Sequence, residues 1–279
     1  MPGAGQPEHV SETALMVAAM RAMETARPDG IIRDPFAAQL AGTRGMALTR
    51  EIPGLDWVTF GLSIRSRFVD ELLQLALGND VSRVIVLGAG LDARPWRLDL
   101  PPCLRWFEVD FAEILNYKAK QLASTPPKCR VERIEADLND PACRKTVFQT
   151  AAETTGLMIT EGLLMYLRPE TVEALAAESP SGGVRYWILD VASKYLMTRA
   201  SQDWKGVENL RPRDHLQGAQ ILDLARLHGW KDLASRTYTR DAWDVAPGRL
   251  RAIESATPLI DERNLPSGGD PSGVYLFGR

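Results

Sequence analysis

Gly88, Ala89 and Gly90 close the apolar run VIVLG and open the turn GAGLDAR. A glycine turn at the end of a strand lets a ligand lie against the backbone, near the positive N-terminus of the helix that follows. Asp110 ends the next apolar run, where a carboxylate accepts hydrogen bonds from ribose hydroxyls. Asp137, with Leu138 after it, and Glu161 end the two runs after that. Ligands of open parallel sheets bind at the carboxyl ends of the strands. Four consecutive runs thus bring a glycine turn or a carboxylate to one rim. Each acid alone reads more simply as solvated or as a helix cap; their shared placement points to a nucleotide-type site.

Arg65, in FGLSIRSRFVDELL, lies on a helical wheel near the middle of the apolar arc made by Ile64, Phe68, Val69, Leu72 and Ala76, while Arg67 points away. An arginine on a buried face keeps its charge and needs a carboxylate or similar partner. The plain alternative is an arginine reaching from between core helices to a structural acid. The spacing of Gly88, Gly90 and Ala93, with Asp110 beyond, also satisfies the G-x-G-x-x-A dinucleotide pattern. An NAD(P)-dependent oxidoreductase is therefore an alternative of a different class. It lacks a Tyr-x-x-x-Lys or similar hydride-site motif, and it leaves Arg65 and Glu161 unexplained.

These residues need elements to hold them. Short apolar runs VIVLG (84–88), LRWFEV (104–109), RVERIEA (130–136), GLMIT (156–160) and VRYWILDV (184–191) read as strands, and the segments between them as crossover helices or helix-containing connections. That alternation predicts a parallel sheet with helices on both faces. Before it, residues 1–9 read as a frayed end, Ser11 as the cap of a first helix, 34–41 as a short helix and 61–77 as a long one. After it come a helix over 218–230 and two runs, KDLASRTYT and SGVYLFGR, that pair as a terminal antiparallel edge. The long polar and aromatic stretch 193–215 reads as a lid.

Hydrophobic residues are 45% of the 279 and charged ones 25%, proportions that exclude disorder for most of the chain. Lys plus Arg number 33 against 36 Asp plus Glu, a net charge of −3 without a basic tract. The footprint of a non-specific nucleic-acid binder is missing, so the expected partner is a small-molecule acceptor and not nucleic acid. No apolar run approaches ~18 residues, and the first residues are neither basic nor apolar, which predicts no membrane span, no signal peptide and a cytoplasmic protein. Cys103, Cys129 and Cys143 are widely spaced with no CxxC, which predicts reduced thiols and no metal site.

Arg65, LGAGLDAR, FEVDF, EADLND and TEGLLMYL, in this order and spacing, resemble the leucine carboxyl methyltransferase family, including bacterial members that act on natural-product carboxylates. VSETALMVAAMRAMET and DPFA resemble the N-terminal region of those members, so the resemblance spans residues 10–192. It implies an α/β class I methyltransferase: a Rossmann-like seven-stranded sheet in the order 3-2-1-4-5-7-6 with S-adenosyl-L-methionine over the strand ends. Residues 1–77 would form an N-terminal helical cap and 78–279 the cofactor-binding domain with its lid insertion. Carried over by position, the resemblance implies Arg65 at the methionine carboxylate, Gly88 and Gly90 at the backbone face and Asp110 at the ribose. Asp137 and Leu138 would flank the adenine, Glu161 would lie beside the methionine portion, and Tyr166 matches a position near the methyl group. Leu87 stands where the commonest methyltransferase turn has an acid, and the third glycine is absent; the carboxyl family shares both departures. For the basic residue that the family's first helix contributes, Arg21 is the candidate.

Methyl transfer is an in-line displacement at an activated carbon and chiefly demands alignment. A carboxylate acceptor is ionised at neutral pH, whereas a phenol or alcohol benefits from a base. Of the histidines, His9 lies in the frayed start, His228 reads as a helix C-terminal cap, and His215 at the end of the lid is the candidate base. That shortage favours a carboxylate acceptor and a methyl ester product. The alternatives are a hydroxyl acceptor with His215 as base, and a methyltransferase-like fold that keeps the cofactor unreacted for other chemistry. Tyr195 and Arg199 join Tyr166 as candidate groups near the methyl. Trp57, Phe60, Trp204 and Trp243 read either as an acceptor pocket or as plain core.

Overall fold

The computed structural model describes residues 6–52, 54–152, 155–193, 215–256 and 270–279. Helices α1 (Gln6–Ala26), α2 (Ala37–Leu48) and α3 (Leu55–Leu77) precede the first strand. Ser11 lies within α1, which is described from Gln6, so the expectations that Ser11 caps the helix and that residues 6–9 fray are corrected; residues 1–5 lie outside the described residues. Pro7 within the helix lacks an N–H that a first turn does not use. Likewise α2 begins at Ala37 rather than Asp34, whose carboxylate instead accepts the Phe36 amide at 3.1 Å. The helix read over 61–77 extends back to Leu55, where Gly54 in the left-handed region (φ 62°) turns the chain into it.

Strands and helices then alternate: β1 (Arg83–Leu87), α4 (Arg94–Arg97), β2 (Arg105–Asp110), α5 (Ala112–Gln121), β3 (Arg130–Glu135), α6 (Pro141–Thr150), β4 (Gly156–Thr160), α7 (Pro169–Glu178) and β5 (Val184–Val191). After them come α8 (Gly218–Leu227), β6 (Lys231–Thr237), α9 (Asp241–Val245), α10 (Pro247–Ala256) and β7 (Gly273–Gly278). The seven strands form one sheet in the order β3-β2-β1-β4-β5-β7-β6. Strands β1 to β5 run parallel, and β7 is antiparallel to both neighbours, placing Val274 opposite Asp190 on one side and Arg236 on the other. The two C-terminal runs therefore pair as expected, but only β6 is an edge; β7 lies inside the sheet, where GVYLFG is buried throughout.

The period of two in the strands divides the core between two faces. Met158, Trp187 and Phe277 pack on one face beneath Val147, Val172 and Ile221 of α6, α7 and α8. Leu157, Ile188 and Val274 pack on the other against Phe60, Ile64, Phe68 and Leu72 of α3. Each such side chain, fully buried, contributes about 1.5–3 kcal/mol, and the apolar arc of α3 thereby fixes where Arg65 must point. Helix α1 lies over the turn after β1: Leu15, Ala18 and Ala19 pack against Leu91, Ala93 and Trp96. Among the described residues no helix is long and apolar enough to cross a membrane.

Candidate active site

The turn after β1 is built as its glycines predict. Gly88 (φ 65°) and Gly90 (φ 46°) both sit in the left-handed region, where a side chain is strained. A Cβ on Gly88 would lie 2.9 Å from the Leu163 side chain, whereas one on Gly90 would meet nothing nearer than 3.9 Å. Asp110 closes β2 against this turn: Oδ2 accepts the Gly90 amide at 2.7 Å and Oδ1 the Phe111 amide at 2.8 Å. Burial pushes its carboxyl pKa up, and those two N–H donors pull it back only in part. Each oxygen keeps acceptor capacity for a further donor. Past β3, Asp137 is exposed and accepts the Asn139 amide at 2.9 Å. Leu138 is buried, and its carbonyl accepts Nη1 of Arg144 at 2.9 Å.

Arg65 leaves the middle of α3 and reaches the ends of β4 and β5. Its Nε donates to Oε1 of Glu161 at 3.1 Å, and Nη1 lies 3.6 Å from Oδ2 of Asp190. Glu161 is held from several sides: the Ser66 hydroxyl donates to Oε1 at 3.1 Å, and Nη2 of Arg94 lies 2.8 Å from Oε2. Burial alone would raise the Glu161 pKa, but Arg94 and then Arg65 outweigh it and hold the carboxyl down at about 2. Burial works against the Arg65 charge too, and Asp190 and Glu161 overcome it, raising its pKa. Arg67, one turn face away, is exposed and pairs with Glu71 at 2.7 Å, as the wheel requires.

Several members of this network were not read from the sequence. Arg94, at the start of α4, also takes Asp70 at 2.6 Å and Asp92 at 2.9 Å, and Asp70 holds Arg97 at 2.7 Å. Asp190, buried near the end of β5, accepts the Gly162 amide at 2.6 Å. Burial raises its pKa, with Arg65 opposing. The available signal for Asp190 was a lone acid inside the apolar run VRYWILDV; for Arg94 it was the Asp-x-Arg spacing directly after the glycine turn.

Tyr166 ends a short 3-10 turn (Leu164–Tyr166) beyond Glu161 and is half-buried. His215 lines a small cavity with Met165, Asp190 and Ile221, so it shares its surroundings with the Arg65 network. Arg21 is already engaged: Nε donates to Asp34 at 3.0 Å and Nη2 to the Leu91 carbonyl at 2.7 Å. It pins α1 to the stretch after the glycine turn. His228 is the C-cap residue of α8, as expected, with Nε2 3.4 Å from Glu173. Phe60 is buried core, and Trp57 and Trp243 pack against that core. Trp204, Tyr195, Arg199 and all of the expected lid except Ser193 and His215 lie outside the described residues. The three cysteines are unpaired.

A seven-stranded sheet of this order, with β7 antiparallel, is the class I methyltransferase fold, the architecture that the motif resemblance implied. The chain belongs to the leucine carboxyl methyltransferase family, whose profile matches residues 14–179, more than half of its length. It is 40% identical over 187 residues to a Frankia alni protein named as a candidate S-adenosyl-L-methionine-dependent methyltransferase; the match covers 62% of this chain and 65% of that one. The match thus spans just under two thirds of that relative's length. A Mycobacterium marinum protein with the same description is 30% identical over 268 residues, 89% of this chain and 83% of the relative. The crystal structure of a DUF574 family protein from Streptomyces avermitilis superposes with a TM-score of 0.56 at 14% identity, covering 94% of this chain and 96% of that one. This last likeness is one of fold.

Proposed function

We propose that this chain is an S-adenosyl-L-methionine-dependent O-methyltransferase that esterifies a carboxylate on a small or natural-product acceptor. The observation that carries the reading is the Arg65–Glu161 pair at the carboxyl rim, fixed from behind by Arg94. It sets a guanidinium at the carboxyl ends of β4 and β5, against Glu161, Asp190 and Gly162, and a nicotinamide enzyme gives it no role. The residues present fit the cofactor. A Cβ on Gly90 would make only ordinary contacts, with the Gly88 carbonyl at 3.9 Å and Ala14 at 4.0 Å, Asp110 keeps acceptor capacity, and the buried hydroxyl of Tyr238 has no partner among the described residues. In this reading Arg65 grips the methionine carboxylate, and Gly88 and Gly90 admit the ligand to the backbone. Asp110 accepts from the ribose, Asp137 and Leu138 flank the adenine, and Glu161 positions Arg65 beside the methionine portion.

When bound, the cofactor supplies a methyl group already activated on a sulfonium. The protein's own task is alignment and exclusion of water. An ionised carboxylate needs no proton removed, which suits a rim where His215 is the sole described histidine near the Arg65 network. Tyr166 lies beyond Glu161 on the acceptor side in this scheme. A hydroxyl acceptor is the second reading, favoured by the placement of His215 and Asp190 in one cavity, where an imidazole could take a proton. The division into a helical cap (1–77) and a cofactor domain (78–279), the lid over 193–215, the cytoplasmic location and the choice of a small molecule over nucleic acid belong to the same proposal.

Incubation with methyl-labelled S-adenosyl-L-methionine and a panel of acids and phenols tests it. The expected product is label on acids, released as methanol by alkali. Transfer confined to phenols, and lost in His215→Ala, would replace the carboxylate by a hydroxyl.

A further inference from the structure

Tyr238 follows directly on β6, and no role has yet been given to it. Its backbone amide donates to the Ser272 carbonyl at 3.0 Å, which continues the β6–β7 pairing to the rim where Asp190 stands. Its ring stacks on Phe68, with centroids 6.2 Å apart and planes 7° from parallel, and Phe68 is one helical turn beyond Arg65 on the same face of α3. The hydroxyl is buried and finds no hydrogen-bond partner among the described residues. Leaving a buried hydroxyl unpaired costs about 1–3 kcal/mol, and such groups in native proteins call for an explanation.

The surroundings say what kind of partner is missing. Burial, reinforced by Asp190, raises the phenol's pKa well above its ordinary value, with Arg65 opposing. Tyr238 is therefore a neutral donor. Tyr238 donates to neither carboxylate of the network: Glu161 takes Arg65, Ser66 and Arg94, and Asp190 takes the Gly162 amide with Arg65 at 3.6 Å. A buried neutral donor within the electrostatic reach of a guanidinium, with no described carboxylate accepting from it, suits an incoming anionic oxygen.

We infer that the Tyr238 hydroxyl is a second holder of the cofactor's amino-acid carboxylate, donating to it alongside Arg65. The inference rests on the reading that S-adenosyl-L-methionine occupies the strand rim. It makes Tyr238 a binding residue supplied by the C-terminal part of the chain, beyond the stretch that carries the family motifs.

The test is calorimetry with Tyr238→Phe, which keeps the ring on Phe68, using two probes: S-adenosylhomocysteine, which has the amino-acid end, and 5′-methylthioadenosine, which lacks it. The variant is expected to bind S-adenosylhomocysteine about tenfold more weakly, as for a lost hydrogen bond to a charged group, and to bind methylthioadenosine as the wild type does. Its melting temperature should not fall, since the lost hydroxyl was unpaired. Unchanged affinity for S-adenosylhomocysteine overturns the inference while leaving the cofactor reading intact. Equal weakening for both probes also overturns it, by assigning Tyr238 to the shape of the site. Absence of S-adenosylhomocysteine binding in the wild type overturns both.

Discussion

Arg65 on α3 and Glu161 beyond β4 meet at 3.1 Å across 96 residues of chain. The contact joins the helical N-terminal region to the sheet, and its two side chains are only 15% and 13% exposed. Removing one member of a buried pair leaves the other uncompensated, typically at about 3–5 kcal/mol. Glu161 keeps Arg94 and Ser66 in that event, so Arg65→Met is expected at the lower end, about 3 kcal/mol in a denaturant titration. Arg65→Lys should recover much of that stability but not the forked geometry that a carboxylate ligand needs. Both variants should lose S-adenosylhomocysteine binding in calorimetry. Wild-type affinity in Arg65→Met would remove this residue from the site.

Acid stability isolates the same network. Glu161 titrates near 4.5 when free and at about 2 in the folded protein. A depressed carboxyl contributes stability that is full above the unfolded value and drains away as pH falls through the folded one. Its share is on the order of 3 kcal/mol, present at neutral pH and lost between about pH 4.5 and 2. Asp92, held down by Arg94 against its burial, acts in the same sense. Asp110 and Asp190 are raised by burial and act in the opposite sense, gaining relief as they protonate. The informative quantity is therefore the difference between wild type and Glu161→Gln. It should be widest near neutrality and narrow on acidification below about pH 4.5. Parallel curves from denaturation at a series of pH values would show that Glu161 carries none of this dependence.

The two glycines of the turn should fail in different ways. In Gly88→Ala the new methyl meets the Leu163 side chain at 2.9 Å at a φ of 65°, so crowding adds to a left-handed strain of about 1–2 kcal/mol. In Gly90→Ala the methyl has room, its nearest neighbours being the Gly88 carbonyl at 3.9 Å and Ala14 at 4.0 Å. It occupies the space that a ligand needs. Gly88→Ala should lower the melting temperature more, whereas Gly90→Ala should weaken S-adenosylhomocysteine binding out of proportion to its stability loss. Similar losses of both properties in both variants would mean that the turn is only structural.

What was legible in the sequence divides along physical lines. The strands GLMIT and VRYWILDV appear where they were read, because a fully buried strand is a bounded apolar run. Arg65 was found because a charge on an apolar helical arc must have a partner, and its partner is one of the rim acids. Asp190 escaped because a strand buried on both faces has no alternation against which an acid stands out. Arg94 escaped because a helix of a single turn, Arg94–Arg97, has no periodicity to read. Tyr238 escaped for a different reason: the strand order implied by the resemblance put β7 between β5 and β6, but no motif marked the residue at the end of β6, which lies outside the stretch that carries the family pattern. Ser11 was misread because it is a good cap by type, whereas α1 runs through it from Gln6.

That first helix gives the last prediction. Ala14 approaches the space above Gly90, and Arg21 ties the helix to the Leu91 carbonyl while its other face holds Asp34. A ligand on the glycine turn would thus lie under α1, and the two should stabilise each other by linkage. In hydrogen exchange, S-adenosylhomocysteine is expected to slow the amides of residues 14–26 as well as those of the turn itself. Arg21→Met leaves the buried Asp34 carboxylate without its guanidinium and the Leu91 carbonyl without its donor. It should speed exchange across α1, leave the central strands β1 and β4 protected, and weaken S-adenosylhomocysteine severalfold. If the ligand protects the turn but leaves α1 exchanging as in the free protein, the helix is not the roof of the site, and Arg21 serves the fold alone.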